Sequence, residues 1–163
     1  MAQRLGSMVP TQQDSRLCLL LLLGLLGMVI SFHVPPGLTE AQWFEIQHIN
    51  MTHNRCDDAM RAVNRYWKRC KDKNTFLNAT FAFVANVCST ANVTCSNRST
   101  NCHNSPVRVN ITYCNLTAPA PRYTKCRYGQ TQAQMCFRVA CNNSSPRDNG
   151  TYRVVPVHLD AIF

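Results

Sequence analysis

The chain has 163 residues, a length that excludes two domains of ordinary size and favours one. Its formal net charge of +9 favours polyanionic partners such as nucleic acid, heparan-type glycans or an anionic membrane surface, although solubility alone also explains such a charge. No segment after residue 34 is apolar enough to span a bilayer, so we expect a soluble mature protein.

The first 34 residues predict a secretory signal peptide. Residues 17–30 form an unbroken run of apolar residues and glycine, with Arg4 and Arg16 before it. As a helix this run spans roughly 21 Å, less than the ~30 Å hydrocarbon core of a bilayer, so it fits a signal better than a membrane anchor. Cleavage after Ser31 satisfies the small-residue rule, and cleavage after Val34 satisfies it less well. Residues 35–163 are then the mature domain.

The ten cysteines indicate disulfide bonds in a secreted protein. Cys18 lies in the predicted signal, so nine remain and one thiol is left over. Eight cysteines can pair in roughly a hundred ways, and the sequence arithmetic leaves the connectivity open. A metal site at Cys95, Cys102 and His103 is the alternative. The absence of a CxxC pair and the oxidising compartment both disfavour it.

Nine Asn-x-Ser/Thr sequons agree with secretion and predict exposed asparagines. These are Asn50, Asn78, Asn92, Asn97, Asn110, Asn115, Asn142, Asn143 and Asn149. Because the sequons of Asn142 and Asn143 overlap, we expect a glycan on no more than one of the two.

Helices are predicted early in the mature chain. Thr39 and Gln42 have the spacing of a capping box, so a helix begins after Thr39 and carries His48 about two turns on. Residues 57–69 predict a second helix, because its first residues are acidic and its last are basic. A third helix is expected to end near Cys88. The residues at helical spacing that should form the buried face of the second helix are Met60, Val63, Trp67 and Cys70.

Strands are predicted late in the chain, which indicates an α+β fold with an antiparallel sheet. Residues 88–105 are polar and hold three cysteines, so we expect a loop with a small disulfide ring. Apolar and polar residues alternate in 107–113, as in a strand with one solvated face. The remaining expectations are an extended segment at 71–77, a proline turn at 118–122, strands at 135–141 and 154–159, and a turn-rich stretch at 142–152.

His48 and His158 stand out among the five histidines because of their neighbours. His48 follows Gln47 on an amphipathic helix. On the last strand, strict alternation places His158 and Asp160 on one face, where the carboxylate can orient the imidazole and favour its charged form. The opposite face should hold Val155, Val157 and Leu159. Lys71 follows Cys70, so a disulfide there would fix its backbone.

Three segments together resemble the signature segments of the pancreatic-type ribonuclease superfamily. They are Gln47-His48, Cys70-Lys71-Asp72-Lys73-Asn74-Thr75-Phe76 and Pro156-Val157-His158-Leu159-Asp160, and the match runs through essentially the whole mature chain. Residues 41–44, 50–52, 126–128 and 154–160 are similar to the eosinophil-associated branch. The resemblance implies three helices packed on a bent antiparallel sheet in a V-shaped fold with four disulfides.

The resemblance implies a secreted endoribonuclease that cleaves single-stranded RNA on the 3′ side of pyrimidines through a 2′,3′-cyclic phosphate. By position His48 looks like the general base and His158 the general acid, with Lys71 stabilising the transition state. This chemistry needs no metal and no other cofactor. The residues implied in binding substrate or in orienting the catalytic groups are Gln47, Asn74, Thr75, Phe76, Asn101 and Asp160.

The resemblance also orders the cysteines as Cys56–Cys114, Cys70–Cys126, Cys88–Cys141 and Cys95–Cys102. It leaves Cys136 free, at a position that family members usually fill with an apolar or aromatic residue. We favour a buried small side chain there over an intermolecular disulfide or a reactive thiol. Two further departures are Asn142 in place of an acidic residue and Arg153 in place of proline, and neither touches the catalytic residues.

Three functions from different classes fit this sequence. They are an endoribonuclease in innate host defence, a cationic antimicrobial or membrane-active protein with incidental catalysis, and a chemotactic ligand. A membrane disruptor has no need for His48, Lys71 and His158 together, so catalysis is favoured. We expect a secreted monomer, with storage in secretory granules as a further expectation. The expected partner is single-stranded RNA, and anionic glycans, membrane surfaces and a cytosolic ribonuclease inhibitor are further candidates.

Overall fold

The computed structural model describes residues 33–163, of which 34–163 form one compact unit. The apolar run of the predicted signal and the cleavage point after Ser31 lie outside the described residues. Within 33–163, no helix is long and apolar enough to cross a membrane.

Helix α1 covers Glu40–His48 and begins with the predicted capping box. The Thr39 hydroxyl accepts a hydrogen bond from Gln42 N at 3.1 Å, and the Gln42 side chain accepts one from Thr39 N at 2.9 Å. These two bonds satisfy backbone donors that have no partner within the helix. The prediction of the first helix is therefore confirmed, and His48 is its last residue.

Helix α2 covers Cys56–Asn64, so the prediction that it extends to residue 69 is wrong. After Asn64 the chain makes turns, with Lys68 in the left-handed region at a φ of 53°. The side chain of Asn64 accepts a hydrogen bond from the backbone N–H of Lys71 at 3.0 Å, which folds the chain back on the helix end. Because Trp67 lies in these turns, it is 39% exposed and not on a buried helix face.

Helix α3 covers Phe81–Val87, and the hydroxyl of Thr80 caps its first turn by accepting from Phe83 N. The described part of the chain has six strands, β1 Lys73–Leu77, β2 Cys102–Asn104, β3 Val109–Ala118, β4 Arg127–Met135, β5 Phe137–Asn143 and β6 Val154–Ile162. A single 3-10 turn, Tyr123–Lys125, precedes β4. Three helices with antiparallel strands confirm the α+β class.

The strands form two antiparallel sheets, with the orders β1-β3-β4 and β2-β5-β6. The chain passes from one sheet to the other at Cys136, between β4 and β5. The predicted strand at 135–141 is thus divided at this residue. Most of β4 was not predicted, because its run Gln130-Thr131-Gln132-Ala133-Gln134 lacks the apolar alternation that marks a strand.

Two β-bulges interrupt the pairing of β5 with β6. Val139 lies opposite Leu159 and Arg138 opposite Ala161, so Asp160 is an extra residue on β6. A second shift between Ala140 and Cys141 makes Val157 extra as well. Bulges redirect side chains and are common next to active sites. They also explain why the expected single apolar face of this strand is wrong: Leu159 and Val157 pack against different clusters.

Helix α1 contributes to both main hydrophobic clusters. Phe44 is fully buried against Leu77, Val84 and Phe137 in the first cluster. Trp43 packs in the second cluster, which also contains Met60, Val63 and Phe76. Burying two large aromatic side chains contributes several kcal/mol, at about 25 cal/mol per Å² of apolar surface. The rotation of α1 is therefore fixed, and with it the direction of His48.

Within residues 33–163 there are four disulfides, Cys56–Cys114, Cys70–Cys126, Cys88–Cys141 and Cys95–Cys102, the same pairs that the resemblance implies. Because Cys95 and Cys102 are bonded to each other, the alternative metal site has no thiolate ligands. Cys136 is the unpaired cysteine of the described residues and is half-buried. The asparagines of all nine sequons are exposed, and their glycosylation stays a prediction.

Candidate active site

The backbone of Lys71 is fixed from three sides. Its N–H donates to the Asn64 side chain at 3.0 Å, and its carbonyl accepts from the Tyr128 hydroxyl at 2.6 Å. The disulfide between Cys70 and Cys126 holds the preceding residue. Because the backbone is already fixed, ordering the ammonium group costs only the rotamer entropy of the side chain.

The ammonium group of Lys71 is held by two amide oxygens. Its Nζ donates to Gln47 Oε1 at 2.8 Å and to Asn74 Oδ1 at 2.9 Å. The amide of Asn74 in turn donates to the backbone carbonyl of Gln47 at 2.7 Å, which ties β1 to helix α1. Burial lowers the pKa of Lys71 to about 8. An ammonium group has three donors, so one remains for an anionic ligand.

His48 is buried at the end of α1, and its ring is oriented by β1. Its Nδ1 lies 2.8 Å from the carbonyl oxygen of Thr75. A carbonyl can only accept, so Nδ1 carries the proton and Nε2 has the free lone pair. The pKa of His48 is lowered to about 3, mainly by burial. The charges of Lys71 and His158 also lower this pKa, whereas the hydrogen bond to Thr75 raises it. The imidazole is therefore neutral at neutral pH, as a general base must be.

His158 lies on β6 opposite Ala140, between the two bulges, and is half-buried. Burial lowers its pKa, the charge of Asp160 raises it, and the charge of Lys71 lowers it. The charge of Lys71 thus acts on both histidines, and that of His158 acts on His48. The structure brings these three side chains together from α1, from the residues before β1 and from β6.

Asp160 is 4% exposed in its side chain, and two other residues engage its carboxylate. Ser96 donates its backbone N–H to both oxygens, at 3.1 and 3.0 Å, and its hydroxyl at 3.0 Å. Arg138 Nη1 lies 3.6 Å from Oδ2. The sequence predicted that this carboxylate orients His158. That orientation stays a prediction; what the hydrogen bonds from Ser96 show is that this carboxylate holds the disulfide ring of residues 95–102 against β6.

The expected substrate-binding residues differ in their contacts and in their exposure. Gln47, Asn74 and Thr75 contact the histidine or lysine of the site, as described above. The ring of Phe76 is 2% exposed and packs in the core with Trp43, so it is not available to contact a base. Asn101 lies on the disulfide ring and donates to the carbonyl of Cys141 and to Asn142 Oδ1, both at 3.0 Å.

Four supporting residues were missed by the sequence reasoning. Asn64 and Tyr128 hold the backbone of Lys71, and they also bond to each other at 3.0 Å. Ser96 and Arg138 hold Asp160. Tyr128, Ser96 and Arg138 lie far along the chain from the residues they contact, so no local spacing pattern signals those contacts. Asn64 lies close to Lys71 in the sequence, but it was assigned to the middle of a longer predicted helix.

Comparisons with known proteins agree with this fold. The family model for pancreatic ribonuclease matches residues 39–160. The chain therefore belongs to the pancreatic ribonuclease family and has its fold. It is 55% identical over 152 residues to the eosinophil cationic protein of Rattus norvegicus, an alignment that covers 92% of this chain and 96% of the relative. This similarity supports membership of the eosinophil-associated branch.

Proposed function

We propose that the protein is a secreted endoribonuclease that cleaves single-stranded RNA on the 3′ side of pyrimidines, by metal-independent acid–base catalysis. The observation that carries this proposal is the meeting of His48, His158 and the Lys71 ammonium group in one site. Family membership supports the ribonuclease class. The hydrogen bonds of His48 and Lys71, and the charges that act on His158, support the individual roles.

In the first step, Nε2 of His48 takes the proton of the ribose 2′-hydroxyl while that oxygen attacks the adjacent phosphorus. The bond from phosphorus to the 5′-oxygen breaks, and protonated His158 gives its proton to that leaving oxygen. The products are a 2′,3′-cyclic phosphate and a free 5′-hydroxyl. In the second step water opens the cyclic phosphate, with His158 as the base and His48 as the acid.

Lys71 is proposed to stabilise the negative charge that builds on the phosphate oxygens. Its two amide contacts, to Gln47 and Asn74, leave one N–H for this purpose. A bound phosphate also places negative charge beside His48. That charge raises the pKa of the imidazole from its low value in the free protein, towards the range in which it can exchange a proton.

The base specificity is proposed to come from Thr75 and Asn101. The carbonyl of Thr75 binds His48, so a pyrimidine read by the backbone and hydroxyl of Thr75 lies next to the general base. Asn101 is proposed to contact the following base. The strand must be unpaired, because base edges in an A-form duplex are poorly accessible.

The biological part of the proposal is that the protein is secreted, is stored in granules and acts in innate host defence. The relative's name, eosinophil cationic protein, and the net charge of +9 support it. The same charge supports a second candidate function, the disruption of anionic membranes without catalysis. Killing of bacteria by a His48→Ala variant that no longer cuts RNA would favour the second candidate.

The test is cleavage of poly(U) and of tRNA by the purified secreted protein in the presence of EDTA. We expect a bell-shaped pH dependence, and a loss of about a hundredfold or more in His48→Ala and in His158→Ala. His53→Ala is the matched control, because His53 is exposed and outside the site. Full activity of His158→Ala would overturn the proposed acid, and a requirement for metal would overturn the mechanism.

A further inference from the structure

Arg138 on β5 connects three parts of the second sheet. Its Nη1 lies 3.6 Å from Oδ2 of Asp160, and its Nε donates to Asn104 Oδ1 on β2 at 2.9 Å. Its guanidinium carbon lies 5.6 Å from the centre of the Phe163 ring. The side chain of Arg138 is 27% exposed, against 4% for Asp160. These contacts order the guanidinium group beside a largely buried carboxylate.

The bulge at Asp160 in β6 allows the ion pair between Arg138 and Asp160. Arg138 pairs with Ala161 and Val139 with Leu159, so Asp160 has no partner residue of its own on β5. A bulged residue is free to point away from the regular strand direction. The carboxylate of Asp160 accordingly contacts Arg138 on β5 and Ser96 in the disulfide ring.

We propose that Arg138 is a positioning residue for the reaction. It holds Asp160 in place, and its positive charge offsets part of the negative charge that Asp160 presents to His158. The general acid then gives up its proton at a lower pH than the carboxylate alone would allow. This inference rests on the proposed role of His158 as the acid.

The electrostatic reasoning follows from the groups around His158. Asp160 favours its protonated form, while Lys71 and His48, from the segment before β1 and from α1, disfavour it when they are charged. Arg138 lies against the only carboxylate in this group. Because Asp160 is buried, solvent screens its charge little, and a cation at 3.6 Å offsets much of the field that reaches the imidazole.

The experiment measures the titration of His158 by NMR in the free protein. Arg138→Met keeps an unbranched apolar stem next to Phe163 and removes the charge. We expect the midpoint of His158 to rise by about half a pH unit, since Asp160 then acts on the imidazole unopposed. Arg61→Met is the matched control: it also removes an arginine that pairs with an aspartate, Asp58, but on the surface of α2.

Two further variants separate charge from folding effects. Arg138→Lys keeps the charge and loses the planar group, so it should return the midpoint most of the way to that of the unaltered protein. In an Asp160→Asn background, Arg138→Met should shift the midpoint much less, because the effect passes through the carboxylate. If Arg138→Met does not fold, Arg138→Gln gives the same comparison.

The pH profile of kcat/KM provides a second readout. The alkaline limb, which reports the acid of the free enzyme, should move up with the His158 midpoint in Arg138→Met, while the acid limb stays in place. A merely structural role would lower the rate at all pH values without moving a limb.

An unchanged His158 midpoint, or a shift equal to that of Arg61→Met, would overturn the role of Arg138. So would a shift that persists in full without Asp160. The NMR measurement needs no RNA, so these outcomes are distinct from failure of the proposed function, which would show as an unaltered protein that does not cleave RNA.

Discussion

Replacement of His48 with glutamine should weaken the dependence of folding stability on pH in the acid range. In the folded protein the pKa of His48 is lowered to about 3, from 6.5 in an unfolded chain. Between these values the unfolded state binds a proton that the folded state does not, so stability falls as the pH falls from 6.5 to about 3. Well above pH 6.5 the imidazole is neutral in both states and the effect is absent.

The size of this effect follows from the shift in pKa. Each pH unit in the window costs about 1.4 kcal/mol, and the whole shift amounts to about 5 kcal/mol at most. Such a loss is a large share of the stability of an ordinary domain, which is about 5–15 kcal/mol. Glutamine at position 48 cannot be protonated, yet its amide can still donate to the carbonyl of Thr75.

The assay is guanidinium unfolding at a series of pH values from 7.5 to about 3, with the disulfides intact, for the unaltered protein and for His48→Gln. Carboxylates and His158 contribute equally to both proteins, so the difference between the two curves isolates His48. The unaltered protein should lose more stability, by several kcal/mol, over this range. Parallel curves would show that the buried imidazole does not resist protonation and would refute the reasoning.

Three further predictions concern Lys71, the Asn74 side chain that holds its ammonium group, and Tyr128, whose hydroxyl holds its backbone. Lys71→Arg keeps the charge but cannot place a compact ammonium group between Gln47 and Asn74, so kcat should fall about tenfold or more with little change in Tm. Asn74→Ala should lower both kcat and Tm, because Lys71 Nζ loses an acceptor and the half-buried carbonyl of Gln47 loses its donor, at a cost of about 1 kcal/mol in unfolding free energy. Tyr128→Phe should cost about 1–2 kcal/mol in denaturant unfolding, since the hydroxyl joins Asn64 to the backbone of Lys71; an unchanged midpoint would contradict it.

Local signals in the sequence predicted the helices with different success. The capping box at Thr39 predicted the start of α1 because both of its hydrogen bonds are made within four residues. The basic residues at 68 and 69 suggested a helix end, but the helix stops at Asn64. There the side chain of Asn64 turns back to Lys71, and Cys70 is bonded to Cys126. The disulfide depends on a cysteine 56 residues further along the chain, which a local pattern does not report.

At the candidate site, the conformation of β6 was also only partly predictable from the sequence. The motif around His158 indicated the histidine and its neighbouring carboxylate. Strict alternation then failed, because bulges at Val157 and Asp160 shift the pairing with β5. Whether a strand bulges depends on its partner, and nothing in residues 154–160 reports the partner. The contact of Asp160 with Arg138 follows from that pairing and was therefore not predictable.

The site has a consequence for biosynthesis. His48 and Lys71 come from the first half of the described chain, and His158 comes from β6, the last strand. A growing chain that still lacks β6 has no second imidazole in the site, however well its helices have folded. With the proposed roles of His48, Lys71 and His158, the chain gains ribonuclease activity only after β6 has been made and has paired with β5. The order of these elements along the chain therefore separates the folding of the helices from the completion of the proposed site.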